Sequence, residues 1–263
     1  MGRGHRTIQD RYGGMTVSES IADEFGGRPV WLVGATGTLG QAMARLLSQR
    51  GAILALSGRR AAELEQLAAG LPGQAIAVPV DLLDQASVND AARSIKRRLG
   101  AAGSLVVSVS ISAFGEFLEL PEASFASAMD TKYLGALRAM RAVLPDMIAQ
   151  RYGRIVTLSG GSGSRPRPVH LPGGAANAAL ELLSRGAAMR YARDGIRVNV
   201  VAPGPIASPR MQAIVAASDA AGQGDGDRPA GQPRDVAEAV CYLLSERSNF
   251  VNGTVLKVDG GTH

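Results

Sequence analysis

The chain has 263 residues, 46% apolar but only 4% aromatic, so it can bury a sizeable core made chiefly of Ala, Val, Leu and Ile. Its net charge of +5 comes from arginines spread along the chain with no block of five like charges. That pattern argues against nucleic-acid and membrane-surface binding and for a small anionic cofactor. A single cysteine, Cys241, excludes an intramolecular disulfide, and no apolar run reaches the ~18 residues of a membrane span.

Residues 1–27 are polar and Gly-rich, with no apolar segment that would mark a secretory signal. They read as a disordered extension, with Met15 an alternative start, and the expected location is the cytoplasm. Pro29–Val33 is then a short apolar strand, followed by a helix over Gln41–Arg50 with Ala42, Leu46 and Leu47 on one face. Ala52–Leu56 is a second strand, Ala61–Ala69 a helix and Ala75–Val80 a third strand. A helix over Leu83–Leu99 precedes the strand Leu105–Ile111, and Pro121–Gln150 is one long helical region. Arg154–Leu158, Val198–Val201 and Val255–Val258 complete the strands. Ala216–Pro233, Gly- and Asp-rich, reads as a mobile loop over the site. Alternating strands and helices predict an α/β protein whose parallel sheet carries helices on both faces, and near-continuous apolar strands fit a sheet buried on both sides. No inter-domain linker is visible, so residues 28–263 form one domain.

The turn Gly34-Ala-Thr36-Gly37-Thr38-Leu39-Gly40 joins the first strand to the first helix. Glycines there let the backbone turn tightly and approach a pyrophosphate seated on the helix N-terminus. The alternative is an ordinary strand-to-helix turn. NAD binding usually sets an Asp or Glu about twenty residues on, against the ribose 2′-hydroxyl. Here Leu56-Ser-Gly-Arg59-Arg60 presents two guanidiniums instead, and guanidinium suits a 2′-phosphate. The cofactor expected is NADP(H). The alternative for Arg59 and Arg60 is a pair of solvated helix-start residues.

Four segments carry a wider resemblance: Gly34–Gly40, the stretch Leu158–Ser184 followed by GIRVNVVAPGP (195–205), Val201–Ser208, and Val258-Asp-Gly-Gly261. Over about residues 29–262 the chain resembles the short-chain dehydrogenase/reductase family. The resemblance implies a single-domain Rossmann fold, a doubly wound parallel sheet of seven strands. It implies that Asp81 and Leu82 flank the adenine and that Ser108 stands in a replaced NNAG segment. Pro203, Gly204, Ile206 and Ser208 would then lie beside the nicotinamide and phosphates. It also implies a homodimer or homotetramer built through residues 122–150, 174–193 and 254–258. The glycine spacing departs from the family's TGxxxGxG, with Thr38 at the usual middle Gly position.

The greater departure is chemical. Reduction of a ketone makes an alkoxide that needs stabilisation and a proton. The family uses Ser, Tyr and Lys, with an Asn on the long helix. Aligned without a gap, those positions hold Gly160, Gly173, Asn177 and Lys132. The Lys and Asn look exchanged between helices, so Lys132 would polarise the substrate oxygen or donate its proton, with Asn177 orienting it. The alternative is a surface-directed Lys132 and a helix-start Asn177. Ser159 and Ser162 flank Gly160. His170 is a further candidate acid, its alternative an exposed loop histidine. Arg165 and Arg167 are weak candidates for holding a substrate anion. No metal site is expected.

The reading favoured is an atypical NADP(H)-dependent ketoreductase acting on a small or polyketide-like carbonyl compound. The alternatives are a non-redox cyclase, dehydratase or isomerase on the same scaffold, and a catalytically inactive NADP(H)-binding protein.

Overall fold

A computed structural model describes residues 24–208, 211–212 and 230–261. Seven apolar segments pair in parallel: β1 (Pro29–Val33), β2 (Ile53–Ser57), β3 (Ala75–Ala77), β4 (Ser104–Val107), β5 (Gly153–Leu158), β6 (Ile196–Pro203) and β7 (Val255–Val258). Their order is β3-β2-β1-β4-β5-β6-β7. The chain builds outward from β1 to β3, then crosses back to β4. Strand order therefore reverses between β1 and β4, and a crevice opens at their C-terminal ends, where such folds bind ligands. Val33 sits level with both Ser57 and Val107, so three strands end together at that edge.

Alternation along each strand splits the core into two layers. Val30, Leu32, Leu54 and Leu56 face α1 (Thr38–Gln49), α2 (Ala61–Ala69) and α7 (Pro233–Leu244), meeting Met43, Leu47, Leu64 and Val240. Trp31, Val33 and Leu105 face the other side, meeting Val88 and Ile95 of α3 (Gln85–Leu99), Met140 of α5 (Gly135–Gln150) and Leu180 of α6 (Leu171–Tyr191). Each fully buried side chain of this kind contributes roughly 1.5–3 kcal/mol. No helix among the described residues is long and apolar enough to cross a membrane.

Several boundaries shift by one to three residues, α1 starting at Thr38 rather than Gln41 and β6 running over Ile196–Pro203 rather than Val198–Val201; four other differences matter more. β3 stops at Ala77 rather than Val80, although Val78 N and Val80 N still donate to the carbonyls of Leu56 and Gly58; the Val78 carbonyl accepts from the Ser57 hydroxyl. β4 stops at Val107 rather than Ile111, because its neighbour β1 turns away at Gly34. Ser108–Ser110 thereby leave the sheet and become cavity wall. The expected single helix over 121–150 is divided into α4 (Glu122–Ala128), a π-helical stretch Met129–Leu134, and α5. Glu24–Gly27, assigned above to the extension, is a turn. Phe25 is buried in the core, and Glu24 pairs with Arg50 at 3.2 Å and Arg247 at 2.6 Å. The rest of the extension, 1–23, and residues 216–229 of the expected loop lie outside the described residues.

Cys241 is fully buried in α7, and burial pushes its thiol from 9.0 up to about 12. Native protein should therefore resist thiol reagents, labelling only as fast as it unfolds. The unfolded thiol ionises above 9.0 while the native one keeps its proton to about 12, so stability falls as pH rises through that interval. Rapid native-state labelling would contradict this burial.

Candidate active site

The crevice is floored by the β1–α1 turn. Gly34 has φ +84°, and a Cβ there would collide with the Ser108 carbonyl; a Cβ on Gly40 would collide with the carbonyl of Gly34. Only glycine permits this close approach of three backbone segments. Gly37 caps α1 in an extended conformation, and no side chain caps the helix. The first-turn N–H groups of Thr38, Leu39 and Gly40 thus stand at the wall of an open cavity, an arrangement that suits a pyrophosphate.

The two arginines behave differently. Arg60 donates to Thr36 Oγ1 at 3.0 Å and pairs with Glu63 at 3.1 Å, fastening the first turn to the second. Arg59 is exposed and has no ion-pair or hydrogen-bond partner among the described residues. Asp81 Oδ1 accepts from Leu83 N at 3.0 Å, while the Leu82 carbonyl accepts from Arg138 at 2.9 Å. Gly34, Thr36, Arg59, Arg60, Asp81 and Leu82 lie at the strand ends without lining the cavity. Ser108, Pro203, Gly204, Ile206 and Ser208 do line it. Gly204 N donates to Val258 O at 2.9 Å, which ties this wall to β7.

The cavity encloses about 260 Å³ and continues to the β5–α6 segment. All four candidate catalytic residues, Lys132, Ser159, His170 and Asn177, line it. Lys132 lies in the π-helical stretch, is only 6% exposed, and donates from Nζ to the Ser159 carbonyl at 3.0 Å. The surface-directed alternative is excluded. The widened π turn is a device found often at functional sites, where it redirects side chains. Asn177 is buried on α6, its Nδ2 donating to Ser162 Oγ at 3.0 Å. Its Oδ1 is a buried acceptor without a partner among the described residues, an arrangement that costs stability unless a bound donor meets it. Lys132 and Asn177 are thus neighbours across one cavity, each held by a residue of the same short segment.

The hydroxyl of Ser159 is turned to Glu181 Oε1, donating at 2.9 Å, so this serine links a lysine to a carboxylate instead of offering its proton to substrate. Glu181 was not among the candidate residues. It is buried, and Arg185 stands 3.6 Å from its other oxygen. A spacing signal existed: positions 173, 177 and 181 fall on one face of a helix. Among the described residues, Lys132 and Arg167 are the charged members of the cavity lining, and no carboxylate lines it. His170 is 5% exposed, which excludes the exposed-loop alternative. Arg165, by contrast, is exposed and does not line the cavity. Among the described residues, no group of three His, Cys, Asp or Glu side chains is placed to hold a metal ion.

Comparison with known proteins agrees with this fold. A family model described as enoyl-(acyl carrier protein) reductase matches residues 34–263. The chain is 34% identical over 226 residues to the inactive 2-(S)-hydroxypropyl-CoM dehydrogenase 2 of Xanthobacter autotrophicus, covering 83% of this chain and 98% of that protein. It is 31% identical over 252 residues to the oxidoreductase UcpA of Escherichia coli, covering 90% and 94%. Among solved structures, that of levodione reductase superposes with a TM-score of 0.84 at 25% identity, covering 89% and 97%. Sheet order, glycine floor and these relatives agree: the chain belongs to the short-chain dehydrogenase/reductase family of oxidoreductases.

Proposed function

We propose that this protein is an NADP(H)-dependent reductase of a small or polyketide-like carbonyl compound. The observation that carries the reading is one continuous cavity with the uncapped N-terminus of α1 at one end and the buried Lys132 ammonium at the other. Thr38, Leu39 and Gly40 would hold the pyrophosphate, Arg59 the 2′-phosphate, and Ile206 and Ser208 the nicotinamide side. When bound, the reduced nicotinamide supplies a hydride.

The chain's own residues then do the rest. Lys132 stabilises charge on the substrate oxygen from a buried position, where an ammonium counts for more than in water. Asn177 and Ser162 orient a polar group through the unpartnered Oδ1 and the serine hydroxyl. Ser159 and Glu181 keep Lys132 in place from behind. Exposed Ile148 on α5 and Leu182 and Met189 on α6 lie on the helices expected to join subunits, which supports a homodimer or homotetramer.

The test is to titrate NADPH and NADH separately, then follow nicotinamide absorbance against a panel of carbonyl substrates. Tight NADPH binding with turnover is expected; binding of neither nucleotide would overturn the reading. A second reading, a nucleotide-binding protein without turnover, is favoured by Gly173 at the position expected to hold the family's Tyr and by the relative named inactive. It predicts tight NADPH binding with no carbonyl reduced.

Cofactor choice gives a sharper measurement. Arg59→Ala should weaken NADPH binding about 10- to 100-fold, from the roughly 1.5–3 kcal/mol of a charge-assisted hydrogen bond, and leave NADH binding unchanged. Equal loss for both nucleotides would place Arg59 outside the 2′-phosphate site.

A further inference from the structure

We infer that the His170 imidazole takes the place of a side chain at position 173 and is the group that gives its proton to the substrate oxygen. The inference rests on the reductase reading above. Gly173 belongs to the first turn of α6, where the family resemblance expects a tyrosine. A Cβ built on Gly173 would lie under 3.0 Å from Nε2, Cε1 and Cδ2 of His170. The ring therefore fills the volume through which a residue-173 side chain would leave the backbone. Glycine at 173 and histidine at 170 are sterically one feature: any larger residue at 173 would displace the ring.

The imidazole is held with unusual completeness for a residue in a short 3₁₀ turn (Pro168–His170). Nδ1 lies 2.9 Å from the Ala113 carbonyl, and the ring stacks on Phe114 at 4.4 Å with 22° between the planes. A carbonyl oxygen can only accept, so Nδ1 carries a hydrogen in every protonation state. That assigns the exchangeable proton to Nε2, the atom nearest the absent side chain of 173, in a residue that lines the cavity. A second-atom hydrogen bond that fixes tautomer and aim is how catalytic histidines are set for proton transfer.

The step balances. As a hydride from the reduced nicotinamide reaches the carbonyl carbon, the C=O π pair moves onto oxygen. That oxygen takes the proton from Nε2, and the N–H bonding pair stays on nitrogen. The product is an alcohol and a neutral imidazole with its hydrogen on Nδ1, recharged from solvent. Lys132 and Arg167 are the other charged groups of the described cavity lining, with the Glu181 carboxylate behind Ser159. Lys132 holds the oxygen; His170 delivers the proton.

Two variants and one spectrum test this. In His170→Asn the amide nitrogen can keep the bond to Ala113 while Nε2 is lost. Carbonyl reduction should fall about 10²- to 10⁴-fold, the usual contribution of a positioned acid, with NADPH affinity unchanged. Gly173→Ala should produce a similar loss with the histidine intact, because its methyl displaces the ring. The protein has three histidines, His5, His170 and His263, so the ¹⁵N signal missing from His170→Asn identifies the residue without any turnover. It should show the neutral Nδ1–H tautomer. Reduction by His170→Asn within threefold of the unaltered protein, or a neutral Nε2–H tautomer, would overturn the assignment alone. An unaltered protein that binds NADPH but reduces no carbonyl overturns the reductase reading, and this assignment falls with it.

Discussion

Lys132→Met should lower kcat for carbonyl reduction by about 10²- to 10³-fold while leaving NADPH affinity and the fold in place, the cost typical of removing one group aimed at a developing oxyanion. Methionine is unbranched like lysine and one atom shorter, so it fills most of the same buried slot and the comparison chiefly removes the ammonium. The loss should appear in kcat more than in KM, because the charge on oxygen is greatest in the transition state. Glu181 keeps Ser159 and Arg185 as partners in the variant, but the Ser159 carbonyl loses its donor, so the melting temperature should fall by a few degrees. Unchanged turnover would remove Lys132 from the mechanism and reduce its role to a strut that ties the π-helical stretch to the Ser159 carbonyl.

The largest effect on stability should follow Trp31→Ala. Trp31 is fully buried on β1, an interior strand of the sheet, and its Nε1 donates to Ser57 Oγ at 2.9 Å, which in turn donates to the Val78 carbonyl at 2.6 Å. Removing the indole opens a cavity between β1 and the layer of α3 and α5, costing about 3–5 kcal/mol. For a domain of this size each kcal/mol lowers Tm by roughly 2–4 °C, so a fall of about 10 °C is expected. Calorimetry reads it directly, since the variant loses the chain's one tryptophan fluorophore. Trp31→Phe should recover most of the loss, with the remainder measuring the hydrogen bond. A shift of only a degree or two for the alanine variant would mean that the Trp31 side chain is not packed in the core.

Much of the fold was legible in the residues. The boundaries of β1 and β7 and of the helix at Ala61–Ala69 match expectation residue for residue, because each is a periodic or apolar run bounded by Gly, Pro or polar residues. The glycine turn was readable at Gly40, whose collision with the Gly34 and Ala35 carbonyls is local; the collision at Gly34 is with Ser108, a contact that only the assembled sheet makes. The π-helical stretch was not readable. MDTKYL has ordinary helical composition and nothing in it marks the wider turn; in the fold the stretch packs against α6. Glu181 has no sequence signal of burial, because a carboxylate on a helix is usually solvated; only the β5–α6 segment folding over it makes it buried.

Local periodicity and residue identity were enough to specify the seven-stranded α/β architecture and the glycine-floored crevice. They were also enough to show that position 173 carries no phenol and position 177 no ammonium, because Gly173 and Asn177 lack those atoms. What stands in their place emerged only from the folded chain. Lys132 meets Ser159 across 27 positions, and His170 meets Ala113 across 57. Such contacts exist only once the sheet has ordered its strands and brought α5, α6 and the segments between them to one edge. Burial, and with it the strength of a charge or the direction of a proton, is a property of that assembled edge and of no stretch of chain within it.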